Sequence, residues 1–193
     1  MDERAREFAS KPRALVVAAA GCGKTELIAK AVAISPSERQ LVLTHTHAGV
    51  RALRERLKKM GVSPKACRVE TIDGFALRYA AAFPRISACT VPEPSEGCDW
   101  VSVRESCRRA FDNRHIRHVF TQSYTGFYVD EYQDCTVSQH RLVLQLARLR
   151  PCRIVGDPLQ AVFGFDCSDP LPDWNKDVTP QFERLADLVE PHR

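Results

Sequence analysis

Three short stretches hold the residues whose types and spacing suit chemistry on a phosphate. The first is Leu15–Thr25, LVVAAAGCGKT, an apolar run with β-branched Val16 and Val17 that gives way to small residues, two glycines and a Lys-Thr pair. Backbone N–H groups can curl round a phosphate only where side chains do not intrude, and a following helix aims its positive end at the same point. The pattern G-x-x-x-x-G-K-[ST] is met except at its first position, where Ala18 stands for Gly. Ala18, Ala19, Ala20, Gly21, Cys22, Gly23, Lys24 and Thr25 therefore form the expected cradle for a nucleotide's phosphates. Lys24 is placed to reach the β- and γ-phosphates and the Thr25 hydroxyl to ligate Mg²⁺. The bland alternative is an ordinary strand-to-helix turn whose lysine is a solvated surface charge.

The second stretch, Phe127–Cys135 (FYVDEYQDC), ends an apolar run in adjacent carboxylates. Nucleotide hydrolysis needs such a pair, one acid to hold the metal through its water shell and the next to take a proton from the attacking water. Asp130 suits the first role and Glu131 the second, although an isolated Asp-Glu at a strand end is often only a solvated turn. The third stretch, Ile154–Phe165 (IVGDPLQAVFGF), sets Gln160 just past a Gly-Asp-Pro turn, where an amide can sense a γ-phosphate or orient water. Phe163 and Phe165 follow, and Phe163 reads as ordinary core.

The elements that must position these residues alternate in type. A short polar helix over Asp2–Ala9 precedes the first strand and ends at Lys11-Pro12. Helical spacing of Leu27, Ile28, Ala31 and Val32 predicts a helix over Glu26–Ile34, and Gln40–Thr44 reads as a strand. A basic amphipathic helix over Ala48–Met60 closes at Gly61; a strand over Arg68–Ile72 and a helix from Asp73, as N-cap, to Phe83 follow. Arg51, Arg54 and Arg56 on the basic helix read as solvated charges. From Pro84 to about Asn113 the rhythm lapses, with an Arg-rich helix over Trp100–Phe111, and this stretch reads as an insertion. Strand Gly126–Asp130, helix Thr136–Arg150 and strand Cys152–Gly156 resume it, and a final helix is expected around Gln181–Val189. Polar residues gathered at the strands' carboxyl ends predict an α/β fold with a parallel sheet and a ligand bound at those ends.

Composition narrows the class. With 193 residues, 44% hydrophobic and 27% charged, the chain suits one soluble domain carrying an insertion and able to bury a core. The net charge of +4 permits a polyanionic partner without demanding one. The 8 cysteines include no C-x-x-C pair, which argues against a zinc site and a disulfide framework and for free thiols in a reducing compartment. A charged N-terminus without an apolar core segment, and no apolar run of spanning length, predict a cytoplasmic protein that does not enter a membrane.

Taken in order, these stretches resemble the first RecA-like domain of UvrD/Rep-type superfamily 1 DNA helicases, over most of the chain outside the insertion. AAAGCGKT is similar to the family's phosphate-binding motif, LVLTHTHAGVRALRERL and TIDGFA to two DNA-contacting segments, VDEYQD to the Mg²⁺ and water-activating motif, and VGDPLQAVFGF to the γ-phosphate sensor. The resemblance implies a RecA-like P-loop NTPase that uses ATP and Mg²⁺ and binds single-stranded DNA. It assigns catalytic roles to Lys24, Glu131 and Gln160, metal binding to Thr25 and Asp130, and DNA contacts to Thr44, His45, Thr46, Thr71 and Phe165. Phe165 matches an aromatic on which a base stacks, an interaction that tolerates any sequence. The closing LVEPHR resembles the start of the next motif and makes Arg193 the γ-phosphate-contacting arginine.

The departures from the family are specific. The adenine-recognising Gln has no counterpart, since the matching place lies near Arg4 and the first Gln is Gln40. His45 stands where Phe is usual, and Asp73 where His is usual. The expected organisation is residues 1–83 and 114–193 as two parts of one ATP-binding domain, 84–113 as a small helical insertion, and a second RecA-like domain or partner subunit needed for unwinding. Two rival readings are a truncated, non-catalytic module that responds to nucleotide by binding DNA or protein, and a P-loop phosphotransferase of small molecules. Glu131 and Gln160 speak against the first, and the lack of a recognisable lid or acceptor site against the second.

Overall fold

In a computed structural model, the described residues are 2–19, 21–34, 38–90, 98–160 and 168–188. Within them lie the strands β1 (Arg13–Val17), β2 (Gln40–Thr44), β3 (Cys67–Thr71), β4 (Gly126–Val129), β5 (Cys152–Gly156) and β6 (Glu183–Arg184). The helices are α1 (Glu3–Ser10), α2 (Lys24–Ile34), α3 (His47–Lys59), α4 (Ile72–Ala82), α5 (Pro84–Ser87), α6 (Trp100–Ala110), α7 (Arg114–Ser123) and α8 (Val137–Ala147). All strand pairings are parallel and the sheet order is β3-β2-β4-β5-β1-β6. The expected α/β architecture, a parallel sheet flanked by helices, is the one observed.

Strand periodicity sorts the core into two layers, because alternate side chains of a strand face opposite sides of the sheet. Leu15, Leu41, Leu43, Phe127, Val129 and Ile154 share one cluster with residues of α4, α6 and α8. Ala14, Val16, Val42, Tyr128 and Val155 share the other with α1, α2 and α3. Burial on both faces is why these strands read as continuous apolar runs rather than alternating ones.

Several boundaries differ from the expected ones for identifiable reasons. Asp73 does not cap α4; Thr71 does, its hydroxyl accepting from the Gly74 N–H at 2.9 Å. The helix α7, with Ile116 and Phe120 buried, occupies a stretch left without an element on sequence grounds. The expected terminal helix over Gln181–Val189 does not form where it is described: Gln181 ends a 3-10 turn, Glu183–Arg184 pair with β1, and Leu188 N–H donates to the Val17 carbonyl at 3.0 Å. The apolar spacing of Phe182, Leu185 and Leu188 fits a helix, but β1 would otherwise leave its outer backbone groups unpaired, and pairing them decides the conformation.

The stretch expected as an insertion supplies helix α6 to the core. Val103, Cys107 and Ala110 are buried between α4 and α8, and Arg104, 8% exposed, ties the layer together. Its Nε and Nη2 donate to the two oxygens of Asp73 at 2.6 and 2.9 Å, and its Nη1 donates to Asp169 Oδ2 at 2.8 Å and to Ser138 Oγ at 3.1 Å. Removing one member of a buried ionic network strands the others in low dielectric. Arg104→Met is therefore expected to cost about 3–5 kcal/mol, read as a fall in melting temperature of ~6–20 °C; a change within a degree or two would refute the network's structural role.

Candidate active site

Because β1 and β4 run parallel with β5 between them, their carboxyl ends open on one edge. At the end of β1 the chain turns through Gly21 (φ 76°) and Gly23 (φ 82°), left-handed values that side chains oppose. Helix α2 begins at once with Lys24, two residues earlier than the apolar spacing predicts. Ala18 N–H donates to the Gly156 carbonyl at 3.0 Å, fastening the loop's base to β5. Ala18 and Cys22 are buried, Ala19 and Gly21 are exposed, and Ala20 lies outside the described residues.

Lys24 is only 6% exposed, and its Nζ donates to the Ala18 carbonyl at 3.2 Å and pairs with Glu131 at 3.4 Å. A buried ammonium kept by one carbonyl and one half-exposed carboxylate is poised for an anion inside the loop. Thr25 donates through Oγ1 to Asp130 Oδ2 at 3.1 Å. These two hard oxygen donors, 105 residues apart in the chain, are of the kind Mg²⁺ prefers. Burial and the neighbouring Glu131 charge push the Asp130 carboxyl up to about 6, a bias that a cation beside it would offset.

Glu131 takes a left-handed conformation (φ 53°), a strain of ~1–3 kcal/mol for a non-glycine residue. The twist turns its carboxylate back toward Lys24 while Asp130 stays with Thr25. Gln133, which the sequence did not single out, holds this arrangement: its Nε2 donates to Glu131 Oε2 at 2.9 Å and its Oε1 accepts from Asp157 N–H at 2.9 Å. The reach depends on Gly156, where a Cβ would come within 2.9 Å of Gln133 Oε1. Asp157 in turn accepts from Leu159 N–H through Oδ1 at 3.1 Å and from Gln160 N–H through its carbonyl at 2.9 Å. The exposed Gln160 is thus joined to Glu131 through one buried side chain.

Residues 2–166 match the sequence pattern of a family described as an AAA domain. The chain belongs to that family. No curated protein is a significant match to this AAA domain. In fold it is similar to the helicase nonstructural protein 10 of an arterivirus solved with DNA, at 17% identity and a TM-score of 0.52, the likeness covering 96% of this chain and 37% of that one. A second structure of an arterivirus nonstructural protein 10 (helicase) gives 18% identity and a TM-score of 0.50, with the same shares of 96% and 37%. The AAA domain thus spans little more than a third of the length of those proteins.

The residues expected to contact DNA divide by exposure. Thr44 and Thr71 end adjacent strands in register, and both are buried. Thr46 is exposed and caps α3, accepting from Gly49 N–H at 3.0 Å. His45 is half-buried, with Nε2 3.6 Å from Cys135 Sγ. Phe163, Phe165 and Arg193 lie outside the described residues. Among the described residues no helix is long and apolar enough to cross a membrane.

Burial drives the His45 imidazole down to about 4, with Arg104 adding to the effect and Asp73 and Glu131 opposing it. The folded state keeps this ring neutral while the unfolded chain protonates near 6.5, so the stability it contributes is lost as pH falls from about 6.5 through about 4. Across that window His45→Gln should lose less stability than the natural chain, by ~1–3 kcal/mol at the acid end. Chemical denaturation at stepped pH measures the difference, and parallel losses in the two proteins would contradict the assignment.

Proposed function

We propose that this AAA domain binds ATP-Mg²⁺ and hydrolyses it as the first RecA-like domain of a UvrD/Rep-type DNA helicase. The observation that carries the reading is the convergence of Lys24 and Thr25 from the β1 loop with Asp130 and Glu131 from the end of β4. Bound ATP-Mg²⁺ supplies the electrophilic phosphorus and the metal charge that steadies its oxygens. Lys24 binds the β- and γ-phosphates, a role for which it exchanges its present contact with Glu131. Glu131, freed from that cation, accepts a proton from the attacking water. Thr25 and Asp130 hold the metal, and Gln160 reads the γ-phosphate across the open edge. The loop backbone of residues 18–23 cradles the phosphates, and the family resemblance gives Arg193 a contact to the γ-phosphate.

The fold likeness to a helicase solved with DNA supports single-stranded DNA as partner, with Thr44, His45, Thr46, Thr71 and Phe165 along its path. Buried Thr71 serves that path by capping α4, buried Thr44 ends the neighbouring strand beside it, and Thr46 offers an accessible hydroxyl. Residues 1–83 and 114–193 make one ATP-binding domain, and 84–113 is an insertion whose helix has joined the core. Opening and closing round ATP takes a second RecA-like domain, so unwinding is a property of a larger assembly.

Two variants separate binding from chemistry. Lys24→Ala should abolish binding of a fluorescent ATP analogue, and retention of affinity would sink the site. Glu131→Gln should keep that binding yet lower DNA-stimulated phosphate release by ~10²–10⁴-fold. Equal turnover in natural and Glu131→Gln protein would point instead to a nucleotide-responsive module without catalysis.

A further inference from the structure

After Glu131 the chain makes a 3-10 turn, Tyr132–Asp134, that buries Tyr132 and Gln133 in succession. Tyr132 anchors the turn, its hydroxyl 2.8 Å from His140 Nδ1 of α8. Gln133 has both polar ends committed inside the protein, Nε2 to Glu131 Oε2 and Oε1 to Asp157 N–H, each at 2.9 Å. A carboxylate offers only acceptors and a backbone N–H only a donor, so the amide is satisfied in one orientation.

The packing leaves this side chain little freedom. On one side lies Gly156, where a Cβ would stand 2.9 Å from Gln133 Oε1. The same Cβ would stand 2.9 Å from Cη2 of Trp174, whose ring meets Tyr132 at 74° with centroids 6.2 Å apart. A bare glycine and an indole edge thus bound the slot that the glutamine fills.

The two oxygens of Glu131 are held unequally. Lys24 Nζ, at 3.4 Å, and Gln133 Nε2 both meet Oε2, and among the described residues Oε1 takes no hydrogen bond. Once Lys24 turns to the phosphates, Gln133 is the contact that keeps Oε2 in place. Its other end rests on Asp157, whose carbonyl accepts from Gln160 N–H at 2.9 Å, so a shift of the β5 turn is passed to the carboxylate.

We propose that Gln133 is the positioning residue of the water-activating step, a role that rests on the hydrolytic reading of the site. By occupying Oε2 it presents Oε1 to the attacking water. As the water oxygen bonds to the γ-phosphorus, the bond to the β–γ bridging oxygen breaks and the water's proton passes to Oε1. Gln133 itself touches neither nucleotide nor water; it acts through Glu131.

The test measures DNA-stimulated phosphate release and binding of the fluorescent ATP analogue on the full chain. Gln133→Met should lower kcat by ~10–100-fold and leave KM for ATP and affinity for the analogue unchanged. Gln133→Glu keeps the length and the acceptor for Asp157 N–H but cannot donate to Glu131, so it should show the same fall, and it keeps the test decisive if the methionine variant fails to fold. The double variant Gln133→Met, Glu131→Gln should turn over as Glu131→Gln does alone, within about twofold, because a residue that acts through Glu131 has nothing left to position. Natural turnover in Gln133→Glu, multiplication of the two losses in the double variant, or a loss of analogue affinity that matches the loss of turnover overturns the proposal. Slow Glu131→Gln beside natural turnover in Gln133→Met overturns the positioning role alone, whereas natural turnover in Glu131→Gln overturns the hydrolytic reading and this role with it.

Discussion

The constraint on which the rest depends is the parallel insertion of β5 between β1 and β4. It brings the carboxyl ends of three strands to one edge, so that the loop after β1, the acids after β4 and the turn after β5 meet without any of them being near in sequence. Thr25 and Asp130 are hydrogen-bonded across that edge, and Gln133 spans from the β4 turn to the β5 turn. Were any of these strands reversed, its terminal residues would open on the far side of the sheet and the cluster would not exist.

Local backbone geometry then directs the side chains that the sheet has gathered. Two left-handed glycines let the phosphate loop turn immediately into α2, and a left-handed Glu131 sends adjacent carboxylates in different directions. That division explains how Asp130 and Glu131 can hold different partners although they are neighbours in the chain. The strain at Glu131 is balanced by Gln133 and Lys24, whose contacts fall on the same carboxylate.

Away from this edge the molecule is held by two unlike means. The α1–α2–α3 layer is apolar packing on β-branched strands, whereas the α4–α6–α8 layer adds a buried ionic network centred on Arg104. His45 borders that network and the acids of β4, so burial and nearby charge act on one ring from both. At the sheet's outer edge, β3 buries Cys67 and Val69 in the α1–α2–α3 layer, and Arg54 of α3 donates to the Val69 carbonyl at 2.8 Å.

Much of this was legible in the chain itself. Strand periodicity, the Gly-x-Gly-Lys-Thr run and the strand-borne Asp-Glu pair are local patterns, so the parallel α/β class and the identities of Lys24, Thr25, Asp130 and Glu131 could be read without coordinates. Gln133 could not, because a glutamine in a polar turn looks solvated until β5 supplies Asp157 as its second partner. Arg104 was hidden for the same reason, its carboxylates coming from residues 31 and 65 positions away. The misread terminal segment shows the other side of the rule: its apolar spacing suits a helix, but unpaired groups on β1 outweigh local preference. Sequence alone determined which residues can do chemistry and which elements carry them; tertiary structure decided which of them meet, because hydrogen bonding across a sheet and burial of charge depend on neighbours that the chain places far apart.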